Sequence, residues 1–121
     1  MATISKLTLS GSTNGRGIKV TTASPIDGTD TTIHTSVTGT SDTDLITLFA
    51  YNSDSVDRDL HLGWGGTTLP DDGIIVTIPT KTGLVLVTAD LPLRNSLVVV
   101  ASASAANVIT VHGYVNRIDV A

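Results

Sequence analysis

Residues 56–78 read VDRDLHLGWGGTTLPDDGIIVTI, and the pattern of this stretch changes twice. From Val56 to Leu62 apolar and polar residues alternate, which is the period of a strand with one buried face. Residues 73–78 are rich in β-branched residues and also favour a strand. The segment between them contains glycines, a proline and two aspartates, the residues that build tight turns. The stretch therefore predicts two strands joined by a corner.

The same pattern recurs along the whole chain. All eleven acidic residues are aspartate, and no ten-residue segment carries an apolar stripe at helical spacing. Short β-rich segments separated by turn clusters predict an all-β domain, an antiparallel β-sandwich of jelly-roll type with about eight strands. The 121 residues are expected to form one domain, 1–121, in which residues 1–16 could be a flexible N-terminal arm. The other predicted strands are 4–9, 18–20, 33–37, 45–51, 83–87, 97–101 and 108–118.

Two segments are dense enough in apolar residues to supply the core. One is LITLFAY at 45–51, and the other is 97–111, which has few charges to protect it from self-association. We expect segment 97–111 to lie inside the sandwich or in a subunit interface. The predicted core residues are Leu45, Ile46, Leu48, Phe49, Val108, Ile109, Val111, Tyr114 and Val115.

Composition argues against several classes of function. The net charge is −4 and the seven Lys and Arg residues are scattered, which argues against nucleic acid as a partner. The longest apolar runs, of about five or six residues, are too short to cross a membrane. No signal peptide is visible at the N-terminus, and without cysteine there is no disulfide or thiolate metal site. These features predict a soluble protein that is made in the cytoplasm.

The polar residues do not assemble a recognisable catalytic or metal motif. Asp71 and Asp72 lie between a proline and a glycine, which favours a turn over a metal site. Segment 52–59, NSDSVDRD, lacks the glycine and the terminal glutamate of a calcium loop. The three histidines, His34, His61 and His112, fall on different predicted strands. We therefore predict no catalytic, cofactor-binding or metal-binding residues, and a protein that is not an enzyme.

Trp64, the single tryptophan, has two interpretations. The glycines beside it indicate a crowded corner, so the ring is expected to cap one end of the core. An exposed tryptophan would instead anchor an interface or bind a sugar. Residues that could contribute to an interface are Trp64, Arg16, Asn14, Arg94 and Asn95.

The chain also resembles a group of small structural proteins of tailed bacteriophages. The resemblance rests on WGGTTLPDD at 64–72, TGLVLV at 82–87 and LRNSLVVVASASAANVITVHGYVNRI at 93–118, with GRGIKV at 15–20 nearer the N-terminus. It implies a capsid decoration (cement) protein that binds the major capsid protein on the outer surface of the virion and stabilises the head. It also implies a homo-oligomer, with a trimer favoured because icosahedral shells have threefold axes.

Two other functions stay open at this stage. A carbohydrate-binding or fibre- or tail-associated β module would need exposed aromatic side chains, of which the chain has few: one Phe, two Tyr and one Trp. A small hydrolase would need a catalytic cleft, for which the sequence gives no positive signal.

Overall fold

The computed structural model describes residues 2–23, 26 and 30–120 of the chain. Strands joined by turns and loops make up this part of the chain. No helix is present among these residues. The nine strands are β1 (Thr3–Thr8), β2 (Ile18–Lys19), β3 (Thr31–Thr35), β4 (Thr43–Asn52), β5 (Arg58–Trp64), β6 (Gly73–Ile78), β7 (Val85–Leu93), β8 (Val98–Ala103) and β9 (Ile109–Asp119).

The strands form two antiparallel sheets. Sheet A has the order β1, β9, β4, β7, and β2 also pairs with β9, nearer the N-terminal end of that strand than β1 does. Sheet B has the order β3, β8, β5, β6. Because the apolar side chains of both sheets are buried between them, the predicted all-β antiparallel β-sandwich is confirmed.

Strand pairing is nested along the chain. Strand β1 pairs with β9, β3 with β8, β4 with β7, and β5 with β6. Each pair therefore encloses the next, so the chain is one long double-stranded hairpin folded over on itself. The corner between β5 and β6, residues 65–72, is the innermost turn of this arrangement.

Strict alternation along the strands decides which side chains form the core. On β4, Ile46, Leu48 and Ala50 are fully buried, and on β9 the same holds for Ile109, Val111 and Val115. The prediction was wrong for Leu45, Phe49 and Tyr114, which are half-buried on the outer face of sheet A. Their positions differ by one residue from buried neighbours, and in a strand one residue moves a side chain to the opposite face.

Segment 97–111 was expected to lie inside the sandwich or in a subunit interface. Its two strand segments lie inside the sandwich. Strand β8 is a central strand of sheet B, and β9 is a central strand of sheet A. Val99, Ala101 and Ala103 of β8 are fully buried, which explains why the segment carries so few charges.

The connection between β1 and β2 closes one side of the sandwich. Leu9, which is 2% exposed, enters the core directly after β1. The Gly11 N–H donates to Ile33 O at 3.0 Å, and the Thr35 N–H donates to Ser10 Oγ at 2.7 Å, so residues 10–11 cover the edge of β3. Residues 3–8, which belong to the segment 1–16 that was expected to form a possible flexible arm, are an edge strand of sheet A because β1 pairs with β9.

Candidate functional site

Trp64 lies at one end of the sandwich, where it joins the two sheets. Its indole N–H donates to Pro92 O of β7 at 3.3 Å, and its ring is half-buried against the core. Gly65 follows with φ of +79°, and a Cβ there would lie 3.1 Å from Leu93 Cδ1. The crowding that the glycines indicated is thus real, and the half-buried indole ring packs against the core.

The predicted interface residues fall in two separate places. Arg94 and Asn95 are exposed in the β7–β8 turn, close to the Trp64 corner, because Gly65 N–H bonds to Val98 O at 3.0 Å. Asn14 and Arg16 are exposed in the β1–β2 connection, which runs beside β9. The fold brings Trp64, Arg94 and Asn95 together at one end but does not place Asn14 and Arg16 there. Their role in an interface stays a prediction.

Asp72 belongs to the corner itself. Its carboxylate Oδ2 accepts from the Thr68 N–H at 3.0 Å, and its backbone carbonyl accepts from the Trp64 N–H at 2.7 Å. Gly66 lies close beside it: a Cβ at that position would lie 2.5 Å from Asp72 Oδ2, so a larger residue would displace this carboxylate. Asp72 thus stabilises the turn between β5 and β6, as its neighbours in the sequence predicted.

The acids of segment 52–59 are likewise engaged in ion pairs and hydrogen bonds within the protein. Asp54 forms an ion pair with Arg58 at 2.7 Å, and Asp57 Oδ1 accepts from the Thr80 N–H at 3.0 Å. The buried Asn52 amide donates to Val56 O and Ile78 O, each at 2.9 Å. Among the described residues no group of three or more His, Asp, Glu or Cys side chains is arranged to hold a metal ion.

A buried ionic network lies between the sheets near the Trp64 end of the sandwich. Asp44, fully buried, accepts from His34 Nε2 at 2.8 Å, from Arg117 Nε at 2.7 Å and Nη2 at 3.0 Å, and from the Val37 N–H at 3.1 Å. The other ring nitrogen, His34 Nδ1, accepts from the Ser10 N–H at 3.0 Å. This assigns the proton of the neutral imidazole to Nε2.

The Ser10, His34 and Asp44 set is not a nucleophilic triad. A triad needs the serine hydroxyl on the imidazole, whereas here it is the Ser10 backbone N–H that meets His34. The Ser10 hydroxyl instead accepts from the Thr35 N–H. With both ring nitrogens and the carboxylate engaged inside the sandwich, the network joins β3 to β4 and β9 and is structural.

The Asp44 network predicts loss of stability in acid. Burial alone raises the pKa of Asp44, but the hydrogen bonds from Arg117 and His34 outweigh it and hold the pKa below its ordinary value. A lowered native pKa stabilises the fold above the unfolded-state value, near pH 4, and this stabilisation is lost as pH falls through the native value. We expect the difference in unfolding free energy between the wild type and Asp44→Asn to shrink below about pH 4. A difference that stays constant from neutral pH to pH 2 would contradict this assignment.

The outer face of sheet A carries a cluster that the sequence analysis missed. Phe49 of β4 lies between Leu86 of β7 and His112 of β9 in the strand register. Tyr51 is two residues further along β4, and Tyr114 is two residues along β9 from His112. We call these residues the aromatic face: Phe49, Tyr51, Leu86, His112 and Tyr114.

The aromatic face is open to solvent and carries positive charge at its rim. Leu86 is 55% exposed, and the three aromatic residues are half-buried. Lys6 Nζ lies 4.4 Å from the ring centroid of Tyr114, a cation–π contact. Three of the four aromatic side chains of the chain thus share one sheet face, although the sandwich core is aliphatic. Every second residue of a strand lies on the same face of its sheet. With the register of β4, β7 and β9 known, this alternation alone would have identified the cluster.

Comparisons with known proteins give no further information about this site. No family model, no curated protein and no solved structure matches the chain. In the described part of the chain, no helix is suited to crossing a lipid bilayer.

Proposed function

We propose that the protein is a non-enzymatic structural component of a phage virion, a decoration protein that binds the major capsid protein on the outside of the head. The observation that carries the proposal is the aromatic face. Aromatic residues are enriched in protein interfaces and supply much of their binding energy, whereas a sheet face with no partner is normally polar. The resemblance of the sequence to small virion proteins supplies the class of partner.

The connectivity supports the same proposal. When β1 and β2 are counted as one interrupted edge strand, the nested pairing matches that of a jelly roll, a fold that is frequent in viral capsid proteins. Fold by itself does not imply function, so this observation adds to the aromatic face and does not replace it.

The candidate catalytic groups give no competing site. His34 and Asp44 are engaged inside the sandwich. An apolar cavity of about 310 Å³ beside β6 has His61 as its one titratable lining residue among those described. Neither the buried network nor this cavity therefore offers two cooperating polar groups to a substrate.

Binding of this kind would stabilise the head by mass action. A protein that binds the assembled lattice more tightly than free capsid subunits shifts the equilibrium towards the lattice. The positive rim at Lys6 favours an acidic counterpart on the shell, and the apolar centre at Phe49 and Leu86 would be desolvated on docking.

The test is binding to expanded shells assembled from the capsid protein of the same phage. We expect saturable binding at a ratio set by the lattice, and at least tenfold weaker binding for Leu86→Lys, which places a charge beside Phe49 in the aromatic face. Leu86 is 55% exposed, so the variant should still fold. Arg94→Ala, in the β7–β8 turn near Trp64, is the control, because it lies outside the aromatic face. It should bind as the wild type does, and weaker binding would favour the interface predicted at the Trp64 corner.

Two results would overturn the proposal. One is the absence of binding to shells under conditions in which the protein is folded. The other is selective binding to a glycan, weakened by Tyr51→Ala, because stacked aromatic rings also suit sugars. That result would favour the carbohydrate-binding module, for which the aromatic face is the specific observation. Trp64 is the weaker candidate for an anchor in either case, because its indole N–H already donates to Pro92 O and its ring packs against the core.

A further inference from the structure

Three of the four sheet edges carry features that oppose strand addition. Strand β7 has two register irregularities, contains Pro92, and has Asp90 at φ of +52°. Strand β3 is covered by residues 10–11. Strand β1 carries Lys6 and is interrupted before β2 continues the edge. Bulges, prolines, lysines and covering loops are the usual protections of an edge strand.

Strand β6, the remaining edge, has none of these protections among the described residues. Its register with β5 is continuous over all six residues of GIIVTI, which contain no charge and no proline. Its only strand partner among the described strands is β5. Ile75, at the middle of the strand, is 65% exposed. A regular, apolar, uncharged edge is the kind of strand that pairs with another chain.

The ladder shows which backbone groups of β6 are free. The Trp64 N–H donates to Asp72 O at 2.7 Å, which marks residues 64 and 72 as a hydrogen-bonded pair. In an antiparallel ladder such pairs recur every second residue, so Ile74, Val76 and Ile78 bond to β5. The N–H and C=O groups of Ile75 and Thr77 therefore point away from the sheet.

We propose that β6 pairs with β6 of a second copy of this chain about a twofold axis. Groups that point outwards must meet groups that point outwards, and a register with Ile75 opposite Ile75 of the second copy meets this condition. The two side chains then lie together on the outer face of sheet B. Each four-stranded sheet becomes half of a continuous eight-stranded sheet. The two copies present the same surface to each other, as a twofold interface requires.

Charge and shape at the ends of β6 fit a second copy. Asp71 precedes the strand and Lys81 follows it, and both are exposed. Antiparallel pairing brings the start of one β6 to the end of the other, so Asp71 of one copy and Lys81 of the other, which have opposite charges, lie at the same end of the contact. Ile75 also forms a wall of the apolar cavity that Leu69 and Ile74 line, and the second Ile75 would extend that wall.

This contact differs from the threefold assembly that the sequence analysis favoured. It is independent of what the aromatic face binds, because β6 belongs to sheet B and the aromatic face to sheet A. The isolated protein therefore tests it, without shells.

The experiment is sedimentation equilibrium from about 10 µM to about 1 mM, a range that covers the weak affinity of a small interface. We expect the mass to rise towards twice the monomer value of 12.5 kDa. Ile75→Lys sets two like charges opposite each other and should weaken dimerisation about tenfold or more. Ile4→Lys, the same substitution at a comparably exposed position on the β1 edge of sheet A, should dimerise as the wild type does.

Hydrogen exchange of the wild type identifies the contact directly. The Ile75 and Thr77 amides should exchange rapidly in dilute solution and become protected as dimer forms. A monomer over the whole concentration range, a trimer, or a dimer in which these two amides stay unprotected would overturn the inference. This readout also decides the matter if Ile75→Lys does not fold.

Discussion

Replacing Asp44 by alanine should lower the free energy of unfolding by about 3–5 kcal/mol, the range for removing one partner of a buried ion pair. The carboxylate accepts from His34, Arg117 and the Val37 N–H, so its loss leaves several donors unpaired between the sheets. Arg117 is one-third exposed and regains some hydration, which favours the lower part of the range.

Chemical denaturation of wild type and variant measures this effect, with Asp71→Ala as the control. Asp71 is an exposed acid in the β5–β6 turn, and its removal should change stability by no more than about 0.5 kcal/mol. If Asp44→Ala cost as little as Asp71→Ala, the network would not stabilise the sandwich.

Leu48→Ala should cost about 2–5 kcal/mol, and its neighbour Phe49→Ala about 1–2 kcal/mol, although phenylalanine is the larger residue. Leu48 is fully buried between the sheets, so truncation leaves a cavity. Phe49 is half-buried on the aromatic face, so truncation opens a space that water can fill. Chemical denaturation of the two variants measures which one loses more unfolding free energy. A larger loss for Phe49→Ala would place its ring in the core and remove the basis for the aromatic face.

The strands were predictable because each carries a local signal. Strand β6 was predicted with the bounds that the structure has, residues 73–78. The predicted bounds of the other eight strands lie within a few residues of the observed bounds, except at the C-terminal half of β7. The extension of β7 to Leu93 was missed because Asp90 and Pro92 are typical turn residues. Here they lie in an irregular edge strand that tolerates both.

The face of each side chain was less predictable than the strands. In LITLFAY both faces of β4 are apolar, so alternation cannot tell whether Leu48 or Phe49 points inwards. The buried network depends on residues that are far apart in sequence, since Arg117 meets Asp44 across 73 positions. Such contacts follow from strand order, which no local pattern encodes. For the same reason the protected and unprotected edges could be compared only once the two sheets were known.

The most direct test of the account is a cryo-electron microscopy reconstruction of capsid shells saturated with the protein. We expect density for the β-sandwich on the outer surface, with the aromatic face of sheet A against the shell and Leu86 and Phe49 within the contact. Density that places the aromatic face towards solvent, or shells that carry no such density at saturating protein, would contradict the proposed function.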